Sequence, residues 1–161
     1  MLWISYADTP LGPIRLTACE NGLSGLSFES VPTAPPAIGE DSPVLAAAKA
    51  WLAAYFAGRN PPWTGPLAPS GTPWQRAVWA RLLAIPYGTT TTYGAIAQDL
   101  AAQLGRPASP RAVGGAVGAN PIALIIPCHR VVAARGLGGY AAGLSRKVAL
   151  LRLEEAGFPG R

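Results

Sequence analysis

Along the first thirty positions, β-branched, aromatic and leucine residues recur at every second place between turn signals. A period of two predicts three short antiparallel strands, over 2–6, 14–18 and 23–28. Asn21-Gly22 is a hairpin turn signal. A proline-rich loop over 31–40 follows, and then Ser42-Pro43 supplies an N-cap and a first-turn proline for a helix ending near Gly58. Together these make a small α+β unit.

From Asn60 to Gly71 the pattern lapses: four prolines, two glycines and no periodic apolar positions mark a linker, and the domain boundary is expected there, giving domains 1–68 and 69–161. The period then changes to that of a helix. Thr72-Pro73-Trp74-Gln75 reads as a capping box with proline at the first helical position, and Trp74, Val78, Trp79, Leu82 and Leu83 form one apolar stripe up to the Pro86-Tyr87-Gly88 stop. Thr92 caps a second helix over 93–104 that Gly105 ends, and Ser109-Pro110-Arg111 opens a third that runs to about Ala119. Two helices across a short turn suggest a helix-turn-helix. A strand over 122–126 and a last helix over 145–156 complete the reading, which is α+β with a mainly helical second domain.

The third helix is unusual, because Gly114, Gly115 and Gly118 lie inside it and each costs about 1 kcal/mol relative to alanine. Close approach is the natural reason. Either the helix packs tightly in the core, or it fits a groove too narrow for ordinary side chains, with Arg111 at its start.

Composition narrows the class. Half of the 161 residues are hydrophobic and 13% are charged, so the chain can bury a core rather than remain disordered. Lys plus Arg exceed Asp plus Glu by 13 to 8, a balance that favours polyanions only if the arginines share one face. Met1 to Asp8 lack the charged start and long apolar stretch of a signal peptide, and no apolar run approaches the ~20 residues of a membrane span. A reducing cytoplasm is the expected compartment. The two cysteines, Cys19 and Cys128, are far apart and the chain has one histidine, which speaks against a disulfide framework and a structural zinc site.

Cys128 follows an apolar run and a proline and precedes that histidine, His129. A thiolate is the reactive form of cysteine, and nearby positive charge or a base raises its population. Cys19, among Thr17, Ala18 and Glu20 on a strand, reads instead as a small inert hydrophobe. On extended backbone Cys128 and His129 would face opposite ways, so proton transfer between them needs a bridging water or a turn. A papain-like hydrolase needs a histidine from elsewhere in the fold, and there is none. Glu154 is a candidate to orient His129.

The strings GTPWQRAVWARLLAIPYGTTTTYG, SPRAVGGAVGANP, IIPCHRVV, GGYAAGLSRK and LLRLE, in that order, resemble the catalytic domain of the O6-alkylguanine-DNA alkyltransferases. YADTPLGPIRLTACENGLSGLSF and WLAAYFAGRNP are similar to that family's smaller, ribonuclease-H-like domain, so the resemblance spans nearly the whole chain. It implies irreversible, single-turnover transfer of an O6-alkyl group, with O4-alkylthymine a further substrate to consider, onto Cys128. His129 would be linked to Cys128 through water and Glu154 to His129. It further implies Asn120 as a hinge residue, Arg111 filling the stack left by the flipped base, and Tyr93 pressing on the phosphate and assisting guanine at N3. Tyr140, Val131 and Ala141 would line the base pocket, and Thr92, Tyr93, Arg111, Ala112 and Gly115 would meet double-stranded DNA in its minor groove. No cofactor or metal is implied; a monomer is, with cooperativity on DNA left open.

Three departures from the family pattern stand out. The stretch from Tyr93 to Arg111 is about four residues longer than usual, around Ala101 to Gln103; Ala142 replaces a usual glycine; and Trp74 replaces a common phenylalanine, a conservative packing change. Ala142 would narrow the pocket against bulky O6-benzyl groups. Two other readings remain open at this point: a damage sensor without transfer activity, whose known type lacks the acceptor cysteine, and a transcription regulator, whose recognition helix would ordinarily carry polar side chains.

Overall fold

The computed structural model describes residues 2–29 and 42–155; the proline-rich loop over 31–40 and Ala156, the expected end of the last helix, lie outside them. Two compact units are present: Met1–Ser70 with Pro121–Ala123, and Gly71–Asn120 with Leu124–Arg161.

In the first unit β1 (Trp3–Ala7), β2 (Ile14–Cys19) and β3 (Gly22–Phe28) form one antiparallel sheet in that order. Ile14, Leu16 and Ala18 alternate into the core, where α1 (Pro43–Phe56) turns Leu45, Ala48, Leu52 and Tyr55 inward at helical spacing. The Ser42 hydroxyl caps α1 by accepting from the Leu45 amide at 3.2 Å. Cys19 pairs with Gly22, so the hairpin loop is Glu20-Asn21 and the expected Asn21-Gly22 turn is displaced by one residue. Glycine is needed at 22 for another reason: φ is +135°, and a Cβ there would lie 2.5 Å from the Pro66 carbonyl oxygen, which accepts from the Leu23 amide.

The strand expected over 122–126 does not form. Ile122 makes one parallel bridge to Leu26, held by Leu26 N–H to Pro121 O and Ala123 N–H to Leu26 O, both at 2.9 Å. Leu124 then turns at φ +69° and ends the ladder. Ile122, Leu124, Ile125 and Ile126 are all buried, so the apolar run reported burial rather than extended structure.

The second unit contains α2 (Pro73–Leu83), β4 (Thr91–Thr92), α3 (Tyr93–Leu104), α4 (Pro110–Gly118), β5 (Val131–Val132) and α5 (Leu144–Leu153). Both bonds of the capping box form at α2: Gln75 N–H to Thr72 Oγ1 at 3.1 Å and Thr72 N–H to Gln75 Oε1 at 2.9 Å. Trp74 and Trp79 donate their indole N–H groups to the Ala112 and Ala116 carbonyls of α4, at 3.2 and 2.8 Å. Trp74 is therefore more than a packing change, since phenylalanine has no such donor. α3 is unbroken between its Thr92 cap and the left-handed Gly105, so residues 101–103 continue the helix, with Ile96, Ala97 and Leu100 on its buried face. α3 and α4, joined across 105–109, are the helix-turn-helix. α5 stops at Leu153, short of the expected 156, with Glu154 as its C-cap. Among the described residues no helix is long and apolar enough to cross a membrane.

Candidate active site

The segment after Pro127 is a turn. Cys128, His129 and Arg130 form one turn of 3-10 helix, whose three residues per turn send successive side chains about 120° apart. β5 follows at once and pairs in parallel with β4, Thr91 to Val131 and Thr92 to Val132. That pairing ties the cysteine turn to the start of α3, where Thr92 Oγ1 accepts from the Ala95 amide and Tyr93 opens the helix.

His129 and Arg130 both point to Glu154, and the three residues are buried. The His129 Nε2–Glu154 Oε2 distance is 2.6 Å, while Arg130 donates Nε to Oε1 at 2.8 Å and NH2 to Oε2 at 3.2 Å. The Gly88 amide adds a fourth donor to Oε1 at 3.2 Å, and Arg130 NH1 reaches the Ile85 carbonyl at 2.8 Å. A glutamate beside Glu155 in sequence would ordinarily be solvated; here it is the buried anion on which the cysteine turn closes. An ionised carboxylate only accepts, so Nε2 carries the proton and the lone pair is left on Nδ1. Burial lowers the His129 pKa, with Glu154 opposing and Arg130 and Lys147 adding to the drop, which favours the neutral ring that a base requires.

Burial likewise pushes the Cys128 thiol up. Four groups act the other way: the Asn120 amide, the residue's own backbone N–H, the Lys147 ammonium and the Tyr140 hydroxyl. Asn120 also donates Nδ2 to the Ile126 carbonyl at 2.8 Å, linking the end of α4 to the chain entering the turn. The buried Tyr140 hydroxyl and the half-buried Tyr93 both have raised pKa values, chiefly from burial and next from the charge on Cys128. Both therefore keep their protons when the thiol ionises and remain donors beside it.

Lys147 carries no role in the sequence reading, yet its side chain is fully buried and its Nζ donates to the carbonyls of Val131 at 2.7 Å, Gly139 at 3.0 Å and Leu137. One cation thus gathers β5 and the 137–139 loop around Cys128. A sequence signal was available: Lys147 sits on the apolar face of α5 with Leu150 and Leu151, where a solvated lysine would not. Burial lowers its pKa to about 8 from 10.5, with the Cys128 charge opposing. Between those two values the unfolded chain holds the proton that the folded chain has shed, so folding gains stability as pH rises through the window. Relative to Lys147→Met, the wild type should gain urea resistance on going from pH 7.5 to 9, and equal pH dependence of the two would show that Lys147 keeps its proton.

In the same loop Gly138 has φ +70°, and a Cβ there would meet the Tyr93 ring at 2.9 Å and its hydroxyl at 3.1 Å. Gly138→Ala should move Tyr93 and slow any reaction at Cys128 on the order of 10- to 100-fold. A thiol-transfer rate within twofold of wild type would show that Tyr93 has no part in it.

On α4, Val113, Ala116 and Val117 face inward, while Arg111, Ala112, Gly115, Gly118 and Ala119 are exposed. A Cβ at Gly115 or Gly118 would meet nothing within 4 Å, and at Gly114 only the Tyr93 ring, from 3.8 Å. Tight internal packing therefore does not account for these glycines; they leave a bare outer face with one arginine at its start. Ala141 is exposed at the turn between Tyr140 and Gly143.

Two family models match the chain: the DNA-binding domain of 6-O-methylguanine DNA methyltransferase over residues 73–156, and the ribonuclease-like domain of the same protein over 2–69. A methylated-DNA–protein-cysteine methyltransferase of Methanosarcina acetivorans is 43% identical over 157 residues, 95% of this chain and 98% of its own. The crystal structure of the Mycobacterium tuberculosis O6-methylguanine methyltransferase superposes with a TM-score of 0.80 at 40% identity, covering 100% of this chain and 97% of that one. A Mycobacterium tuberculosis OGT solved in complex with DNA gives 0.79 at 42% identity, covering 96% and 94%.

Proposed function

The chain belongs to the 6-O-methylguanine DNA methyltransferase family and repairs DNA by alkyl transfer to a cysteine, and on that footing we propose that the acceptor is Cys128. The observation that carries the assignment is the surroundings of this thiol, the Asn120 and Tyr140 donors and the Lys147 charge, which favour the thiolate in a buried site that otherwise opposes it. Cys19, on β2 of the other unit, is the chain's second cysteine.

An O6-alkyl carbon inside a stacked duplex cannot be attacked in line, so the base is extruded, at a cost of a few kcal/mol. Arg111 fills the vacated stack, and the bare face of α4, with Ala112 and Gly115, enters the minor groove while Thr92 and Tyr93 meet the backbone. Tyr140, Ala141 and the Val131 carbonyl hold the guanine. Cys128 passes its proton through water to His129, whose ring Glu154 orients. The sulfur–carbon bond then forms as the carbon–O6 bond breaks, and the electron pair left on the guanine is met by a proton at N3, assisted by Tyr93. The thioether is inert to water, so each molecule acts once. We place the protein in the cytoplasm, as a monomer.

Intact mass spectrometry after incubation with duplex DNA holding one O6-methylguanine tests this: one methyl gained per chain supports transfer, and tight binding without a gain would make the protein a damage sensor. Ala142 lies in the Tyr140–Gly143 turn, next in sequence to Ala141, which is proposed to hold the base. Ala142→Gly should raise the transfer rate for O6-benzylguanine relative to O6-methylguanine, and an unchanged ratio in paired rate measurements would remove Ala142 as a size filter.

A further inference from the structure

Beside the start of α4 a surface groove of about 520 Å³ is lined by Trp74, Arg106, Pro107, Ala108, Ser109 and Ala112. We propose that it seats one deoxyribose-phosphate of a DNA strand, the sugar on Trp74 and Pro107 and the phosphate on Arg106; this rests on the DNA-repair reading above.

The floor is fixed before any ligand arrives, because the Trp74 indole is held by the Ala112 carbonyl at 3.2 Å. The wall is stiffened too, with Pro107 restricted in φ and Gly105 turning the chain at φ +66° where α3 ends. An apolar floor with a single exposed guanidinium at its edge matches a sugar face followed by a phosphate, since a guanidinium presents a planar fork to phosphate oxygens. Among the residues lining the groove the one charged side chain is Arg106, and none is acidic. The flanking Asp99 is engaged by Arg81 at 2.9 Å. Ala112 belongs both to the groove and to the bare face of α4, so a strand lying along that face continues into the groove without a break.

The test compares Arg106→Ala and Arg106→Glu with wild type for binding to undamaged duplex across a salt series, and for methyl uptake from lesion duplex at saturating concentration. Arg106→Ala should weaken binding roughly tenfold and reduce the slope of log K against log salt by about one, with Arg106→Glu weaker still and the saturated transfer rate unchanged. Wild-type affinity and slope in both variants would overturn the subsite while leaving repair intact. Absence of methyl uptake by wild type would instead sink the underlying reading.

Discussion

Cys128→Ala should take up no methyl group from O6-methylguanine duplex at any lesion concentration, while wild type stops at one per chain. The loss is total because the sulfur is the atom that forms the new bond; no neighbouring side chain supplies a comparable nucleophile at neutral pH. Lys147 is spent on three carbonyls, and Tyr93 and Tyr140 have their pKa values pushed up. The fold should survive, since alanine fills most of the buried cysteine's space and such changes cost about 1 kcal/mol. Lesion binding should persist, because the contacts proposed for it lie chiefly on α4 and at Tyr140 and Ala141 rather than on the sulfur. A methylated variant whose adduct maps to Cys19 would end the assignment.

Glu154→Gln should have the second largest effect, a loss of about 3–5 kcal/mol in stability and on the order of 10 °C in Tm. Two of the four donors that converge on this carboxylate belong to the buried Arg130, over whose guanidinium the Tyr87 ring lies at 5.6 Å. Removing one charge of a buried pair strands the other, which costs more than the pair itself contributes. Replacing both, as Arg130→Met with Glu154→Leu, should restore much of the Tm without restoring the transfer rate, because His129 then lacks the group that orients it. Thermal melts and single-turnover rates on the three variants separate the structural part from the chemical one. Full transfer by the double variant would show that orientation of His129 by Glu154 is dispensable.

The elements legible from sequence are those whose ends carry local chemistry. Ser42-Pro43, Thr72-Pro73, Thr92 and Ser109-Pro110 each cap the helix expected of them, because a side-chain oxygen satisfying an N-terminal amide needs no tertiary context. Cys128 and His129 were legible through the residues around them. Two-residue β4 and β5 were not, as no period can show in two positions, and their pairing depends on residues forty apart, Thr91 and Val131. Arg130 and Lys147 were missed for a related reason: their partners are carbonyls and a carboxylate that only the folded chain brings near. The run 122–126 misled because Pro121 and Pro127 bracket a segment buried as a turn, and burial alone does not choose between turn and strand.

The sheet of the first unit takes backbone bonds from Pro121 and Ala123, residues that the chain reaches only after the whole helix-turn-helix has been made. The consequence is one of separability. Scission anywhere in 60–71 would not release a finished N-terminal module, because Leu26 still holds a segment downstream of the cut. A fragment ending at Ser70 would present that part of β3 as a bare edge, open to other strands. During synthesis the same edge waits unpaired until residue 123 emerges, which makes the smaller unit the first begun and among the last completed.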